Sequence, residues 1–170
     1  GIKQDRAQRG PAVGIESWQF RDAGVDILLM QIGPDQARAF FLGAKLAYPL
    51  MTRGGSILSI SSLGSHRYIP GYAVVGASKA AIESLTRTFA VEFAPAGIRV
   101  NCVSGGLVDT DALQHFPARD QMIEVTRNRT PLGRIGQPED IADVVALLST
   151  DEARWITGQV IVADGGFSLL

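Results

Sequence analysis

The stretch Gly71-Tyr72-Ala73-Val74-Val75-Gly76-Ala77-Ser78-Lys79-Ala80-Ala81 opens the most strongly patterned part of the chain. An apolar stripe at helical spacing continues it, formed by Ile82, Leu85, Phe89 and Phe93. Seven helical residues turn the chain through about 700°, close to two full turns, with about 10.5 Å of axial rise. We therefore expect Tyr72 and Lys79 to leave the same face of one long helix.

Strand-like segments lie on both sides of this helix. Ser56–Ile60 precedes it and Ile98–Val103 follows it, while Val25–Met30 and Gly158–Val162 are the first and last strand-like segments. Two further helices are predicted. The first carries Ala37, Phe40, Phe41, Ala44, Ala47 and Met51, and the second starts near Pro138 and carries Ile141, Val144, Val145 and Leu148. Strands alternating with helices indicate an α/β fold with a parallel sheet covered on both faces.

Several polar or small residues follow directly after predicted strands. They are Ser62, the segment from Ser104 to Thr110, and Asp164. Ligands of such sheets bind beyond the carboxyl ends of the strands, so we expect these residues to gather at one edge.

Composition indicates a globular protein of one domain. The 170 residues are 46% hydrophobic and 19% charged, with a formal net charge of -1 that gives no electrostatic basis for binding nucleic acid or an anionic membrane. The sequence has no apolar run long enough for a membrane span and no signal-peptide core. The only cysteine, Cys102, lies in a predicted buried strand and suits a reducing compartment, so we predict a cytoplasmic protein.

From Gln36 to Leu170 the sequence resembles the C-terminal half of a short-chain dehydrogenase/reductase. The matching motifs are Gly55–Ser62, Ala77–Ala81, Ile98–Asn101 and the tail from Thr157 to Gly166. The resemblance implies a Rossmann-like parallel sheet flanked by helices and a nicotinamide-dependent oxidoreductase. Residues 1–35 match no motif of the family, and the glycine-rich turn that would hold the cofactor pyrophosphate is absent from them. We therefore expect residues 36–170 to form an incomplete Rossmann domain without its N-terminal nucleotide-binding strands.

The spacing of tyrosine and lysine narrows the resemblance. Most family members place the tyrosine four residues before the lysine, where this chain has Val75. The Tyr-x6-Lys pattern of Tyr72 and Lys79 instead resembles the enoyl-acyl carrier protein reductase branch of fatty acid synthesis. The segment Val103–Leu113, followed by His115-Phe116-Pro117, is similar to an NADPH-preferring bacterial subgroup, and Gly105 stands where most of the family has proline. NADH is not excluded.

The resemblance implies specific roles for residues of this chain. Tyr72, Lys79 and Ser62 are the expected catalytic residues. Lys79 also belongs to the expected cofactor site, with Gly105, Gly106, Val108 and Thr110. Tyr68 and Tyr72 are the expected contacts to an acyl thioester carried by acyl carrier protein or CoA. Ser62 has an alternative interpretation as a turn hydroxyl bonded to backbone, and for Tyr68 packing at the start of the helix is the favoured alternative.

Other interpretations remain open or are set aside. No Gly-x-Ser-x-Gly turn of a serine hydrolase occurs, and His66 and His115 have no second ligand at metal spacing, so we predict no metal site. A 3-oxoacyl-acyl carrier protein reductase, or another alcohol dehydrogenase, is the alternative within the family. An inactive half-domain that only self-associates is the alternative of another class. By resemblance, the helices around 37–52 and 72–94 would pair two subunits in a homodimer or homotetramer.

Overall fold

The computed structural model describes residues 27–30, 35–115 and 119–170. Its centre is a sheet of four parallel strands, which neighbour each other in chain order: β1 (Ile27–Met30), β2 (Gly55–Ser62), β3 (Ile98–Gly105) and β4 (Val160–Ala163). Four α-helices connect them: α1 (Gln36–Ala47), α2 (Ala73–Phe93), α3 (Arg119–Arg129) and α4 (Pro138–Ser149). The predicted α/β architecture with a Rossmann-like parallel sheet is confirmed.

The two faces of the sheet are covered by different helices. On one face α1 and α2 pack on Ile57, Val100 and Cys102, and the predicted stripe supplies Ile82, Phe89 and Phe93 to this core. On the other face α4 packs through Leu148 on Leu58 and Val103, as its predicted apolar pattern requires. The central strands β2 and β3 are buried almost throughout, which explains why their sequences are continuously apolar or small instead of alternating.

The change of face alters the hand of the last crossover. The strand order advances in one direction from β1 to β4, but α1 and α2 lie on one face while α4 lies on the other. The connection from β3 to β4 therefore has the opposite hand to the two before it, although parallel crossovers are overwhelmingly right-handed. Sequence periodicity carries no information on this handedness.

Several element boundaries differ from the sequence predictions. Helix α1 ends at Ala47, and Tyr48–Leu50 continue as a 3₁₀ turn. Pro49 cannot continue the α-helix because it has no backbone N–H to donate. Strand β3 runs on to Gly105, so Ser104 and Gly105 belong to the strand and the turn starts at Gly106. Strand β4 starts at Val160, two residues later than predicted. Val25 and Asp26 of the predicted first strand, like the rest of the N-terminal segment 1–26, lie outside the described residues.

Helix α3 has no counterpart in the sequence predictions. It is strongly polar, and none of its described side chains is fully buried. A helix without a buried face leaves no 3.6-residue apolar period in the sequence, which is why the pattern missed it.

The segment that leads into β4 is held by side chains of β3. The amide nitrogen of Asn101 donates to the Ile156 carbonyl at 2.8 Å, and its amide oxygen accepts from the Gln159 N–H at 3.0 Å. The Arg99 guanidinium donates to the carbonyls of Leu148 and Thr150 at the end of α4. These bonds fix the start of β4, and thereby the position of Asp164 beyond its carboxyl end.

Candidate active site

The carboxyl ends of β2, β3 and β4 meet at one edge of the sheet. Ser62, the last residue of β2, pairs in register with Gly105 of β3, and Gly105 pairs with Ala163 of β4. Asp164 follows directly. The predicted gathering of Ser62, the segment after β3 and Asp164 at one sheet edge is therefore confirmed.

Tyr72 lies just ahead of α2 and contacts Ser62. It is the N-cap residue of α2, and its carbonyl accepts a 2.7 Å hydrogen bond from the Gly76 N–H. The prediction that Tyr72 stands inside the helix is thus wrong by one position, because Gly71 with a φ of 71° turns the chain immediately before it. The Tyr72 hydroxyl lies 3.2 Å from the Ser62 Oγ, within hydrogen-bond distance. The structure therefore brings two of the three expected catalytic side chains into direct contact.

Lys79 points into the sheet from the second turn of α2. Its side chain is buried, with the residue only 6% exposed, and its Nζ donates to the Ile60 carbonyl at 2.9 Å. Ile60 stands two residues before Ser62 on β2, so the ammonium and the pair of hydroxyls belong to the same end of that strand. Burial lowers the pKa of the Lys79 ammonium, an effect partly opposed by the negative charge that Cys102 can carry. Among the described residues, Nζ has no other hydrogen-bond partner, so two of its three N–H groups remain for a ligand.

Two polar contacts that the sequence analysis missed join β2 to α2 near Lys79. The Ser61 Oγ donates to the Glu83 Oε1 at 2.5 Å, one helical turn beyond Lys79, and Ser59 contacts Thr86 at 3.1 Å. The only signal in the sequence was the i, i+4 spacing of Lys79 and Glu83, which puts them on one helix face.

Cys102 belongs to the hydrophobic core, as predicted. It is fully buried in β3, and burial raises the pKa of its thiol to about 11. A thiol so far from ionisation is a poor nucleophile.

The segment after β3 is packed tightly against β4 and a later loop. The Gly106 N–H donates to the Ala163 carbonyl at 3.3 Å, and a Cβ on Gly106 would lie only 2.9 Å from the Asp164 Cβ. Val108 pairs with Gly136, while Thr110 is exposed and its carbonyl accepts from Leu113. The predicted cofactor segment is therefore a fixed loop at the correct edge of the sheet.

Tyr68 does not pack at the start of α2, which corrects the favoured interpretation. Its side chain is 89% exposed, because it precedes the helix in a loop that leads away from the sheet. With Tyr72 it lines a shallow cleft of about 230 Å³ that also includes Gly64, Ala77 and Ala80. The cleft is not lined by Ser62, Lys79 or Gly105. Its lining therefore includes the residues expected to contact the substrate and not those expected to contact the cofactor.

The structure describes only some of the remaining residues that the sequence analysis considered. His66 is exposed and hydrogen-bonds to Ser65, and within the described ranges no group of three or more His, Cys, Asp or Glu side chains gathers as a metal site would require. Phe116 and Pro117 lie outside the described residues, and the side chain of His115 is not described. No helix in the described part of the chain is both long and apolar enough to cross a membrane.

Comparison with known proteins identifies the family. Residues 29–168 match the family model described as enoyl-(acyl carrier protein) reductase. The chain is 48% identical over 135 residues to 1-cyclohexenylcarbonyl-CoA reductase of Streptomyces collinus, a match that covers 78% of this chain and 48% of that protein. It is 40% identical over 119 residues to the 3-oxoacyl-(acyl-carrier-protein) reductase of Thermotoga maritima, covering 70% of this chain and 48% of that one.

A solved structure supports the same assignment. The Bacillus cereus enoyl-acyl carrier protein reductase in complex with NADP+ and indole naphthyridinone superposes with a TM-score of 0.75 at 32% identity. The match covers 78% of this chain and 51% of that one, so the chain spans about half the length of the relatives it matches. The chain belongs to the enoyl-(acyl carrier protein) reductase family of the short-chain dehydrogenases/reductases.

Proposed function

We propose that this protein contributes the catalytic half of an NADPH-dependent reductase of trans-2-enoyl thioesters. The observation that carries the proposal is the contact between the Tyr72 hydroxyl and the Ser62 Oγ at 3.2 Å. Tyr72 stands seven residues before a buried lysine on the same helix end, and not at the more common position of Val75. NADH remains the alternative cofactor, since the residues that usually choose between the two have no match in this chain.

The described residues fit a nicotinamide cofactor. Lys79 holds a buried ammonium at the carboxyl edge of the sheet with two N–H groups left over, which suits the two hydroxyls of a ribose. Gly105 pairs with Ser62 at the end of β3 and Gly106 follows it, so backbone without side chains lies at this edge, and the loop through Val108 and Thr110 continues from it. When bound, the nicotinamide supplies a hydride to the β-carbon of the enoyl thioester.

The role of the chain itself is to stabilise the charge that the reduction creates. Negative charge develops on the thioester oxygen, and a donor aimed at this oxygen lowers the barrier because it binds the transition state better than the ground state. Tyr72 is that donor. Ser62 orients the phenol through the 3.2 Å contact, and the Lys79 ammonium adds positive charge to the same end of β2.

The position of the tyrosine favours an enoyl over a 3-oxo substrate. In ketone reduction the carbon that is attacked carries the oxygen that is protonated, whereas in enoyl reduction the attacked carbon lies two atoms further along. Three helical residues rise about 4.5 Å, and Tyr72 at the N-cap therefore holds its hydroxyl nearer the start of α2 than a tyrosine at position 75 would. The name of the Streptomyces relative describes an α,β-unsaturated acyl thioester of CoA, which agrees with this assignment and supports CoA as well as acyl carrier protein as the carrier.

We also propose that a second copy of the chain covers α1 and α2. Large apolar side chains are exposed along α1 and the turn after it, including Leu42, Leu46 and Leu50, and Val74 and Val91 are exposed on α2. Several large exposed apolar side chains on neighbouring helices usually mark an interface. A homodimer through these helices, or a tetramer built from two such dimers, would bury them.

One alternative is carried by a specific observation. The 40% identical Thermotoga relative favours a 3-oxoacyl thioester as substrate. An inactive half-domain that only self-associates is the alternative of another class.

The test compares trans-2-butenoyl-CoA with 3-oxobutanoyl-CoA on one preparation, with NADPH and then NADH. Two proteins are assayed: the 170-residue chain, and a chimera that places the N-terminal half of the Streptomyces relative before residue 29. We expect reduction of the enoyl thioester by the chimera at least. Reduction of the 3-oxo substrate alone would contradict the enoyl assignment. A chimera that binds NADPH and reduces neither substrate would favour the inactive half-domain.

A further inference from the structure

Gly64, which precedes Tyr72 in the sequence, makes room for the Tyr72 ring. Gly64 lies in the 3₁₀ turn Leu63–Ser65 directly after β2. A Cβ built on Gly64 would lie 2.4 Å and 2.5 Å from two carbons of the Tyr72 ring, Cδ1 and Cε1. Carbon atoms in proteins do not approach so closely without one of them moving. The Tyr72 ring therefore lies beside residue 64 in space that only glycine leaves open.

Gly76 allows the same turn to approach α2. A Cβ on Gly76 would lie 2.4 Å from the Gly64 carbonyl oxygen and 3.7 Å from the Tyr72 Cδ1. Any side chain at position 76 would thus push the first turn of α2, with Tyr72 at its N-cap, away from the end of β2. Neither glycine has a positive φ, so both are needed for space and not for backbone conformation.

The ring has little freedom to yield to an added methyl group. Its backbone is fixed by the 2.7 Å bond from the Gly76 N–H, and its hydroxyl is fixed by the contact with Ser62. A methyl group at position 64 would break one of these two constraints. The one it would break is the hydroxyl contact, since rotation about the Cα–Cβ bond, which carries the whole ring away from position 64, moves the far end of the ring most.

We propose that Gly64 and Gly76 are positioning residues, which form a slot that sets the Tyr72 hydroxyl against Ser62. The inference rests on the proposed function for its effect on turnover, and on geometry alone for its effect on the ring. It also gives a physical reason why a tyrosine at position 72 requires glycine at these two positions.

The first test follows the ring without reference to activity. The chain has three tyrosines, Tyr48, Tyr68 and Tyr72, so ¹³C-labelled tyrosine gives three ring signals by NMR, and Tyr72→Phe identifies one of them. We expect Gly64→Ala and Gly76→Ala to shift the Tyr72 signal and leave that of Tyr48 unchanged. Ser65→Ala, in the same turn, is the control, because it removes a hydroxyl bonded to His66 and adds no atom beside the ring, and it should shift none. An unmoved Tyr72 signal in Gly64→Ala would overturn the inference, whether or not the protein is a reductase.

The second test uses a double-mutant cycle on the chimera described above. Misplacement of a catalytic group by 1 Å can cost about 10²-fold in rate, so we expect Gly64→Ala to lower kcat by about that factor with little change in NADPH affinity. In the Tyr72→Phe background the same substitution should have almost no further effect, because the group it displaces is gone. Equal losses in both backgrounds would mean that Gly64 serves only the fold, and would overturn the inference. If no variant shows measurable turnover, the NMR signal of the Tyr72 ring alone tests the inference.

Discussion

The hydroxyls of Tyr72 and Ser62 lie 3.2 Å apart, although the two residues belong to different elements and are separated by ten positions. Ser62 ends β2, and Tyr72 caps α2. The residues between Ser62 and Tyr72 therefore form a loop that starts at the end of β2 and brings Tyr72 back to it. Among the described residues the Ser62 hydroxyl meets the tyrosine side chain, and its part in catalysis stays a prediction.

Removal of the Tyr72 hydroxyl should abolish most of the activity of the chimera. Loss of one donor to a developing oxyanion typically costs about 10²–10³ in kcat, and we expect Tyr72→Phe to fall in this range. The measurement is the rate of NADPH oxidation with trans-2-butenoyl-CoA. Tyr48→Phe, which changes a ring that packs on Phe93, is the matched control. Full activity in Tyr72→Phe would show that another group protonates or stabilises the product.

Lys79→Met should separate stability from cofactor binding. Burial lowers the pKa of Lys79, which means that the charged ammonium destabilises the folded protein near pH 7. An apolar side chain of similar length removes this destabilisation. We expect an unchanged or higher midpoint of urea unfolding together with a large loss of NADPH affinity by calorimetry. The reverse pattern, with a lower midpoint and intact affinity, would make Lys79 a structural residue.

Cys102 should destabilise the folded protein at alkaline pH. Its folded pKa is about 11 against an ordinary value of 9.0, so the unfolded thiol ionises first and the contribution of the group to stability is lost as pH rises from 9 to 11. Lys79 acts in the opposite direction in this range, because its folded pKa lies below its ordinary value of 10.5. The wild type should therefore lose stability relative to Cys102→Ala over that interval, by about 2–3 kcal/mol at most. A constant difference between the two proteins from pH 8 to 11 would contradict the assignment.

Leu46→Glu should dissociate the proposed subunit interface. Leu46 is 71% exposed on α1, and a carboxylate there would have to lose its hydration on association. We expect a shift to the monomer in sedimentation experiments. Leu132→Glu, the same change at an equally exposed leucine outside the helices, should leave the assembly intact. An unchanged assembly in Leu46→Glu would place the interface elsewhere.

The sequence was informative for elements that bury one face or both faces, and silent for a helix that buries neither. The stripe through Ile82, Phe89 and Phe93 identified α2 because one face of that helix is buried, and the continuous apolar runs identified β2 and β3. The polar surface of α3 left no such period. The spacing of Tyr72 and Lys79 pointed to the site, but the slot made by Gly64 and Gly76 depends on a contact across a loop, which periodicity does not encode.

The polar contacts between β2 and α2 could be predicted only in part for the same reason. The sequence shows Glu83 as the i+4 neighbour of Lys79 on α2. The hydroxyl that donates to Glu83 belongs to Ser61 on β2, 22 positions earlier. The identity of such pairs depends on strand register, which is set by the packing of the whole sheet.

The most direct test of the account follows the transferred hydrogen. The chimera is incubated with trans-2-butenoyl-CoA and NADPH that carries deuterium at the transferred position, and the acyl product is analysed by mass spectrometry and NMR. The account predicts a saturated butanoyl thioester with deuterium on the β-carbon, and loss of this product in Tyr72→Phe. Recovery of unlabelled butenoyl-CoA, while 3-oxobutanoyl-CoA gains deuterium at its hydroxyl-bearing carbon, would contradict it.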